Sequence, residues 1–164
     1  MSEQGNGEWT NPDARERLAI VRRTKTVAVL GASSKPQRAS NFVATYLLAS
    51  TNYDVYFVNP NETEILGRPA YPTTAALPVV PDLVDVFRRP ADLPEVLADA
   101  IDVGATTFWL QFGLFVPEIA RKAEAAGLTV VMDCCLKIEH ARFHGGLHLA
   151  GFNTGVISSR KQQR

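Results

Sequence analysis

"VAVLGASSKPQRASNFVATYLL", residues 27–48, runs from an apolar strand through a glycine turn into an amphipathic helix. That is the order of a phosphate-binding βα unit. Glycine lets the chain turn sharply after the strand, and the start of the next helix offers N–H groups and a positive dipole end to an anion. Only Gly31 is present where dinucleotide folds show three glycines. The stretch therefore raises two questions, the sheet it belongs to and the ligand it serves.

Short apolar runs recur outward from it, at "TVAVL" (26–30), "DVYFV" (54–58), "LVDVF" (83–87), "TFWL" (107–110) and "TVVMD" (129–133). Most lack clean alternation, as strands covered on both faces do. Helical stretches lie between most of them. "NFVATYLL" sets Phe42, Val43, Tyr46 and Leu47 on one face. "DLPEVLADAI" opens with Asp92 and Glu95 in capping-box spacing and offers Val96, Leu97, Ala100 and Ile101 for burial. "PEIARKAEAAG" starts on Pro117 and stops at Gly127. Strands alternating with helices imply a parallel sheet. The expected fold is α/β: one doubly wound, mostly parallel, Rossmann-like sheet of five to six strands with helices on both faces. "ILGRPAYPTTAALP" (65–78) reads as a short edge strand and one helical turn, and Asn11-Pro12 as the cap and first turn of a helix through "DARERLAIVRR", with Leu18 and Val21 packing inward. The expected organisation is a disordered start (1–10), one domain (11–140) and a Gly-rich tail (141–164).

At 164 residues, 46% hydrophobic and 21% charged, the chain can bury the core of one globular domain. Lys+Arg and Asp+Glu are equal at 17 each. Proteins built around a nucleic-acid backbone usually carry a basic surplus, so nucleic acid is not an expected partner. The opening stretch has no apolar h-region, and no run of about 18 apolar residues marks a membrane span. The two cysteines, Cys134 and Cys135, are adjacent, a usage that fits a reducing cytoplasm. A cytoplasmic protein is expected.

In an open α/β sheet the ligand sits at the carboxyl ends of the strands, where strand order reverses. The first βα turn is the primary candidate. Gly31 makes the turn; Ala32, Ser33 and Ser34 are small enough for backbone N–H groups to approach a phosphate; Pro36 is placed to start the helix; Lys35 and Arg38 bring positive charge. The plain alternative is a tight strand-to-helix connection. NAD is disfavoured, because Ser33 and Pro36 replace the second and third glycines and the second strand ends in Asn59-Pro60 instead of a carboxylate. Asp54 is suitably spaced from Gly31 but opens the strand, at the wrong end of the sheet.

"VAVLGAS", "VNP", "LGRPAY", "VDVFRRP" and "WLQFG", in this order, resemble the stand-alone CoA-binding protein family. These are single Rossmann-like domains related to the CoA-binding domain of the succinyl-CoA synthetase alpha subunit. The resemblance covers residues from about 12 to 140. It implies coenzyme A as the cofactor, with Gly31, Ala32, Ser33, Ser34 and Lys35 holding its phosphates, helped by Arg38. Asn59, Pro60 and Asn61 would border the adenosine end, and Phe87 and Arg88 would line the cleft. Gln111, Phe112 and Gly113 stand where the synthetase domain makes further CoA contacts. The resemblance also accounts for the missing carboxylate, which the 3′-phosphate of CoA would repel. Each position has a plain alternative: Phe87 as a core cap, Arg88 and Arg89 as solvated loop charges, Gln111 as a helix cap.

No catalytic residue is assigned. Cys134 or Cys135 could support thiol-dependent acyl transfer, but neither has a C-x-x-C spacing or an evident base. His140, His144 and His148, four apart, with Glu139, could form a metal-binding face, but Gly145-Gly146 interrupts it, and packing is the favoured reading. No metal is expected. The expected function is a CoA- or acyl-CoA-binding module without catalysis of its own. The alternatives are an NAD(P)-linked oxidoreductase or redox sensor, and an acyl-transfer enzyme using Cys134 or Cys135. A homodimer or an unknown protein partner is left open.

Overall fold

The computed structural model describes residues 8–144. Most of the expected disordered start and nearly all of the expected tail therefore lie outside the described residues. Trp9, inside them, stacks edge-on to Phe115 at 6.0 Å and donates from Nε1 to Glu124.

Seven strands form one sheet: β1 (Thr26–Leu30), β2 (Asp54–Val58), β3 (Glu64–Ile65), β4 (Arg68–Tyr71), β5 (Leu83–Val86), β6 (Thr107–Leu110) and β7 (Thr129–Val131). The order across it is β3-β4-β2-β1-β5-β6-β7. Every pairing is parallel except β3 with β4. The count exceeds the expected five to six because 64–71 folds as a small hairpin, Gly67 at its turn, whose second strand runs parallel to β2.

Five helices cover the sheet: α1 (Ala14–Arg23), α2 (Ala39–Ser50), α3 (Leu93–Val103), α4 (Pro117–Ala125) and α5 (Leu136–His144). Two cores result, because successive strand residues point to opposite faces. Ala28, Leu30, Val84, Val86, Phe108 and Leu110 pack under α3 and α4. Val27, Val29, Val55, Phe57, Leu83 and Trp109 pack under α1, α2 and α5. Both faces are covered, so the strands read as unbroken apolar runs.

Helix ends and faces depart from the sequence reading in several places. Asp13, not Asn11, caps α1, through a capping box with Glu16. Asn11 instead pairs with both backbone groups of Met132, at 2.7 and 2.8 Å, closing the exposed side of β7. Asp92 makes no cap bond to α3, since its carboxylate is taken by Arg88 and Arg89. Helix α2 starts at Ala39, because residues 35–38 form a turn closed by Arg38 N–H on the Lys35 carbonyl. Phe42 and Ile101 are exposed, while Ala44 and Leu93 take buried places on the same helices. Helix α5 runs from Leu136 to His144.

Asp85 is fully buried in the middle of β5, between Val29 and Trp109 of the neighbouring strands. Among the described residues neither of its carboxylate oxygens has a hydrogen-bond partner. Burial holds this carboxyl well above the usual carboxylate range. On the same face His140 of α5 is buried against Tyr46 and Tyr53. Burial, with His144 alongside, pushes it from 6.5 down to about 4.

The two groups tilt stability in opposite directions. Burial raises the folded carboxyl, so Asp85 gives up its proton more readily in the unfolded chain, and its contribution to stability falls as pH rises above the ordinary Asp range. His140 stays neutral when folded and protonates when unfolded, so stability falls as pH drops from 6.5 towards about 4. The two oppose each other in that interval, and above it the His140 contribution no longer offsets the Asp85 decline. In urea denaturation, Asp85→Asn should gain steadily on wild type from pH 6.5 to 8.5. A constant difference across that range would mean that Asp85 is ionised in the folded protein.

Candidate functional site

Chain direction across the sheet reverses between β1 and β5: the chain passes from β1 to β2 on one side and returns to β5 on the other. The carboxyl ends of these strands are locked together by their backbones. Gly31 and Ala32 N–H both donate to the Val58 carbonyl, at 3.0 and 3.3 Å, and Phe87 N–H donates to the Leu30 carbonyl at 2.8 Å. Gly31 has φ +84°, and a Cβ there would overlap the Phe87 carbonyl oxygen and meet Arg88 Cδ at 3.0 Å. Both the backbone angle and the space demand glycine.

The loop beyond Gly31 is braced from three sides. Asn59, just after β2, donates from Nδ2 to the Ala32 carbonyl at 2.6 Å, and its Oδ1 accepts from Asn61 N–H at 2.7 Å. Asn41, in the first turn of α2, donates to the Ser33 carbonyl at 3.0 Å. The Ser33 hydroxyl accepts from Lys35 N–H at 3.1 Å. The fourth contact involves a residue the sequence reading passed over. Glu62 reaches back from the β2–β3 connection, and its Oε2 accepts from Ser34 N–H at 2.9 Å. Hydrogen bonds from the Ser34 side chain and backbone, with the Lys35 charge, hold the Glu62 carboxyl below the usual carboxylate range.

Electrostatics around the loop favour an anion. Helix α2 begins beside it with Arg38 in the cap position and no side-chain cap bond; its positive dipole end favours an anion, while the Asn41 and Phe42 N–H groups already donate to the Arg38 carbonyl. Lys35 and Arg38 are exposed at the same place. Arg88, half-buried over Gly31, is tied to Asp92 at 3.2 Å, and Arg89 shares that carboxylate. Phe87 packs its ring onto the core under α1, α2 and α5. Pro60 and Asn61 are exposed on the rim.

Gln111 and Gly113 follow β6, one strand further from the reversal, and turn towards β7. Gln111 is buried, and its Oε1 accepts from Leu136 N–H at 3.1 Å at the start of α5. Gly113 N–H donates to Asp133 at 2.7 Å. Phe112 stands between them, exposed. The structure thus brings Gly31, Ala32, Ser33, Ser34, Lys35, Asn59, Phe87 and Arg88 together, whereas the Gln111 side chain serves as a cap for α5.

The groups considered for chemistry are absorbed by packing. Burial, then Glu139, push the Cys134 thiol up, away from a reactive thiolate. Cys135 is half-buried next to it. His140 Nδ1 pairs with the Tyr46 hydroxyl at 2.9 Å and its ring stacks on His144 at 4.2 Å. No group of three or more His, Cys, Asp or Glu residues placed to hold a metal occurs among the described residues, and His148 lies outside them. No helix of the described residues is long and apolar enough to cross a membrane.

A doubly wound, mostly parallel sheet with a glycine turn after its first strand defines a Rossmann-like domain. The chain belongs to the CoA binding domain family, whose model matches residues 25–141. An uncharacterised Bacillus subtilis (strain 168) protein, YneT, is 36% identical over 131 residues, covering 80% of this chain and 96% of its own. A hypothetical protein from Pyrococcus horikoshii OT3 shares 38% identity and superposes with a TM-score of 0.78, over 85% of this chain and 100% of that one. The dinucleotide forming acetyl-coenzyme A synthetase 1 of Ca. Korarchaeum cryptofilum, in complex with phosphate and ADP, shares the fold at 23% identity and a TM-score of 0.60, over 68% of this chain and 26% of that one.

Asn59 has both polar ends engaged inside the protein, so its first effect should be on the loop itself. Asn59→Asp sets an acceptor against the Ala32 carbonyl and should cost the ligand-free protein about 1–3 kcal/mol, the range for a buried polar group left unsatisfied. Unfolding in urea measures it. An unchanged ligand-free stability would make Asn59 a ligand contact and not a brace.

Proposed function

We propose that this protein is a cytoplasmic module that binds coenzyme A or an acyl-CoA at the Gly31 loop, without catalysis of its own. The observation that carries this reading is the loop's treatment of an anion. Within a chain of the CoA binding domain family, the Ser34 amide already holds a carboxylate, with Lys35 beside it. The same amide, the first turn of α2, and the Lys35 and Arg38 side chains suit a phosphoryl group better still, because it carries more charge and more acceptor oxygens.

In this reading Gly31, Ala32, Ser33, Ser34, Lys35 and Arg38 take the phosphates. Asn59, Pro60 and Asn61 border the adenosine end, with Asn59 acting mainly by fixing the loop. Phe87 and Arg88 line the groove, and Arg88 can exchange Asp92 for a phosphate. Gln111 and Gly113 shape the far rim from behind, through α5 and Asp133. The bound CoA supplies a thiol able to carry an acyl group; the chain's own residues hold and orient it. Two features speak against NAD(P): Ser33 and Pro36 deny the pyrophosphate the usual glycine turn, and Asn59, where an NAD site has a carboxylate, braces the loop. The raised Cys134 thiol speaks against acyl transfer through that residue.

Thermal melting with CoA, acetyl-CoA, NAD and NADP tests this. At a hundredfold excess over Kd a ligand adds about 2.7 kcal/mol, roughly 5–10 °C for a domain of this size. CoA should give this shift and NAD none; the reverse would sink the proposal. Lys35→Ala with Arg38→Ala should weaken CoA by at least about tenfold, the scale of one charge-assisted hydrogen bond. Cys134→Ser and Cys135→Ser should leave CoA affinity unchanged.

A further inference from the structure

We propose that Glu62 is a resident anion of the Gly31 loop: its carboxylate holds the Ser34 amide in the free protein, and a ligand's phosphoryl group must displace it to bind. This rests on reading the loop as the CoA phosphate site and names the residue that opposes the phosphate there.

The backbone under Glu62 is fixed while its side chain is not. Asn59 anchors the connection to the Ala32 carbonyl, Asn61 N–H is held by Asn59 Oδ1, and Glu62 N–H reaches the Asn59 carbonyl at 3.4 Å. From there two methylene groups carry the carboxylate to Ser34, in a contact open to water. Lys35, from the β1–α2 loop, is the charge beside it, and the Ser34 side chain and amide supply its hydrogen bonds. A carboxylate held this way can swing into solvent at small cost, since water replaces what it leaves.

Exchange then depends on what arrives. A phosphoryl group brings up to two charges and three oxygens, enough to take Ser34 together with the first turn of α2 and Lys35. A neutral or singly charged ligand offers the loop no more than it already has. Glu62 still opposes a bound phosphate after it has swung away, because the short connection keeps it within a Debye length of about 8–10 Å. Glu62 thus weakens every ligand that takes the Ser34 amide, and a phosphoryl group has the charge and the oxygens to gain by the exchange. A direct ligand contact, such as accepting a ribose hydroxyl, would act in the opposite sense on affinity.

Calorimetric titration of wild type and Glu62→Gln with CoA separates the two. Gln keeps the length of the side chain but not its charge. The variant should bind CoA about three- to tenfold tighter, the scale expected when an exposed charge-assisted contact is removed from the free state. Equal or weaker binding by a variant that melts with wild type overturns the proposal. A second measurement does not depend on CoA: the Ser34 amide, followed by proton–nitrogen NMR while inorganic pyrophosphate is added. It should move at lower pyrophosphate concentration in the variant. If neither protein binds CoA, the CoA reading falls, while an earlier Ser34 movement in the variant still upholds the role of Glu62. Movement at the same concentration in both, or none in either, overturns it.

Discussion

The Phe87 carbonyl oxygen lies where a side chain at residue 31 would begin, and the carboxyl edge of the sheet is built around that approach. Strands β1 and β5 can come this close only with glycine at the turn. Once they do, Phe87 N–H reaches the Leu30 carbonyl while Gly31 and Ala32 N–H reach that of Val58. Three strand ends are thereby fastened by backbone alone. The loops that leave them open to the same side, so sheet geometry sets the position of the proposed anion site. Any side chain at 31 would combine left-handed strain with displacement of β5.

The charges around this edge explain how a chain with zero formal charge can host an anion site. Its cations are distributed, not accumulated. Asp92 holds Arg88 and Arg89, Glu62 answers the Ser34 amide beside Lys35, and Arg38 sits at an uncapped helix start. Four cations, Lys35, Arg38, Arg88 and Arg89, stand against two carboxylates, Glu62 and Asp92, so the edge keeps a net positive charge while each partner on it is exposed or half-exposed. Exposed ion pairs contribute little to folding, so they can be traded for a ligand without loosening the sheet.

The strands were legible because burial on both faces leaves unbroken apolar runs, and "TVAVL", "DVYFV" and "TFWL" end where β1, β2 and β6 end. The Gly31 turn was legible because only one residue type fits it. What stayed hidden depends on partners distant in sequence. Asp92 and Glu95 have capping-box spacing, but Arg88 and Arg89 compete for the same carboxylate. Asn11 looks like a cap until Met132 is seen beside it. Gln111 caps a helix 25 residues on. Glu62 had a weak local signal: the N-P-N turn after β2 sends the next side chain back over the first loop, but nothing in the pattern names Ser34 as its target.

The C-terminal third carries most of the chain's reactive residue types, and their placement shows what they are for. Cys134, Cys135, His140 and His144 lie on or just before α5, and Glu139 there binds both Arg17 and Arg142. His140 meets Tyr46 of α2, and Arg17 comes from α1, so these groups dock α5 onto the other helices of its face. The Trp109 indole N–H fixes the Cys134 carbonyl, and the Gln111 amide oxygen caps the helix start. Gly113 is then held by Asp133 across the same junction. Through these bonds the loop after β6 takes its course from α5. The rim of the groove beyond the strand reversal therefore depends on side chains that face away from it, which is why residues with chemical potential can sit near a ligand edge and still be part of its frame.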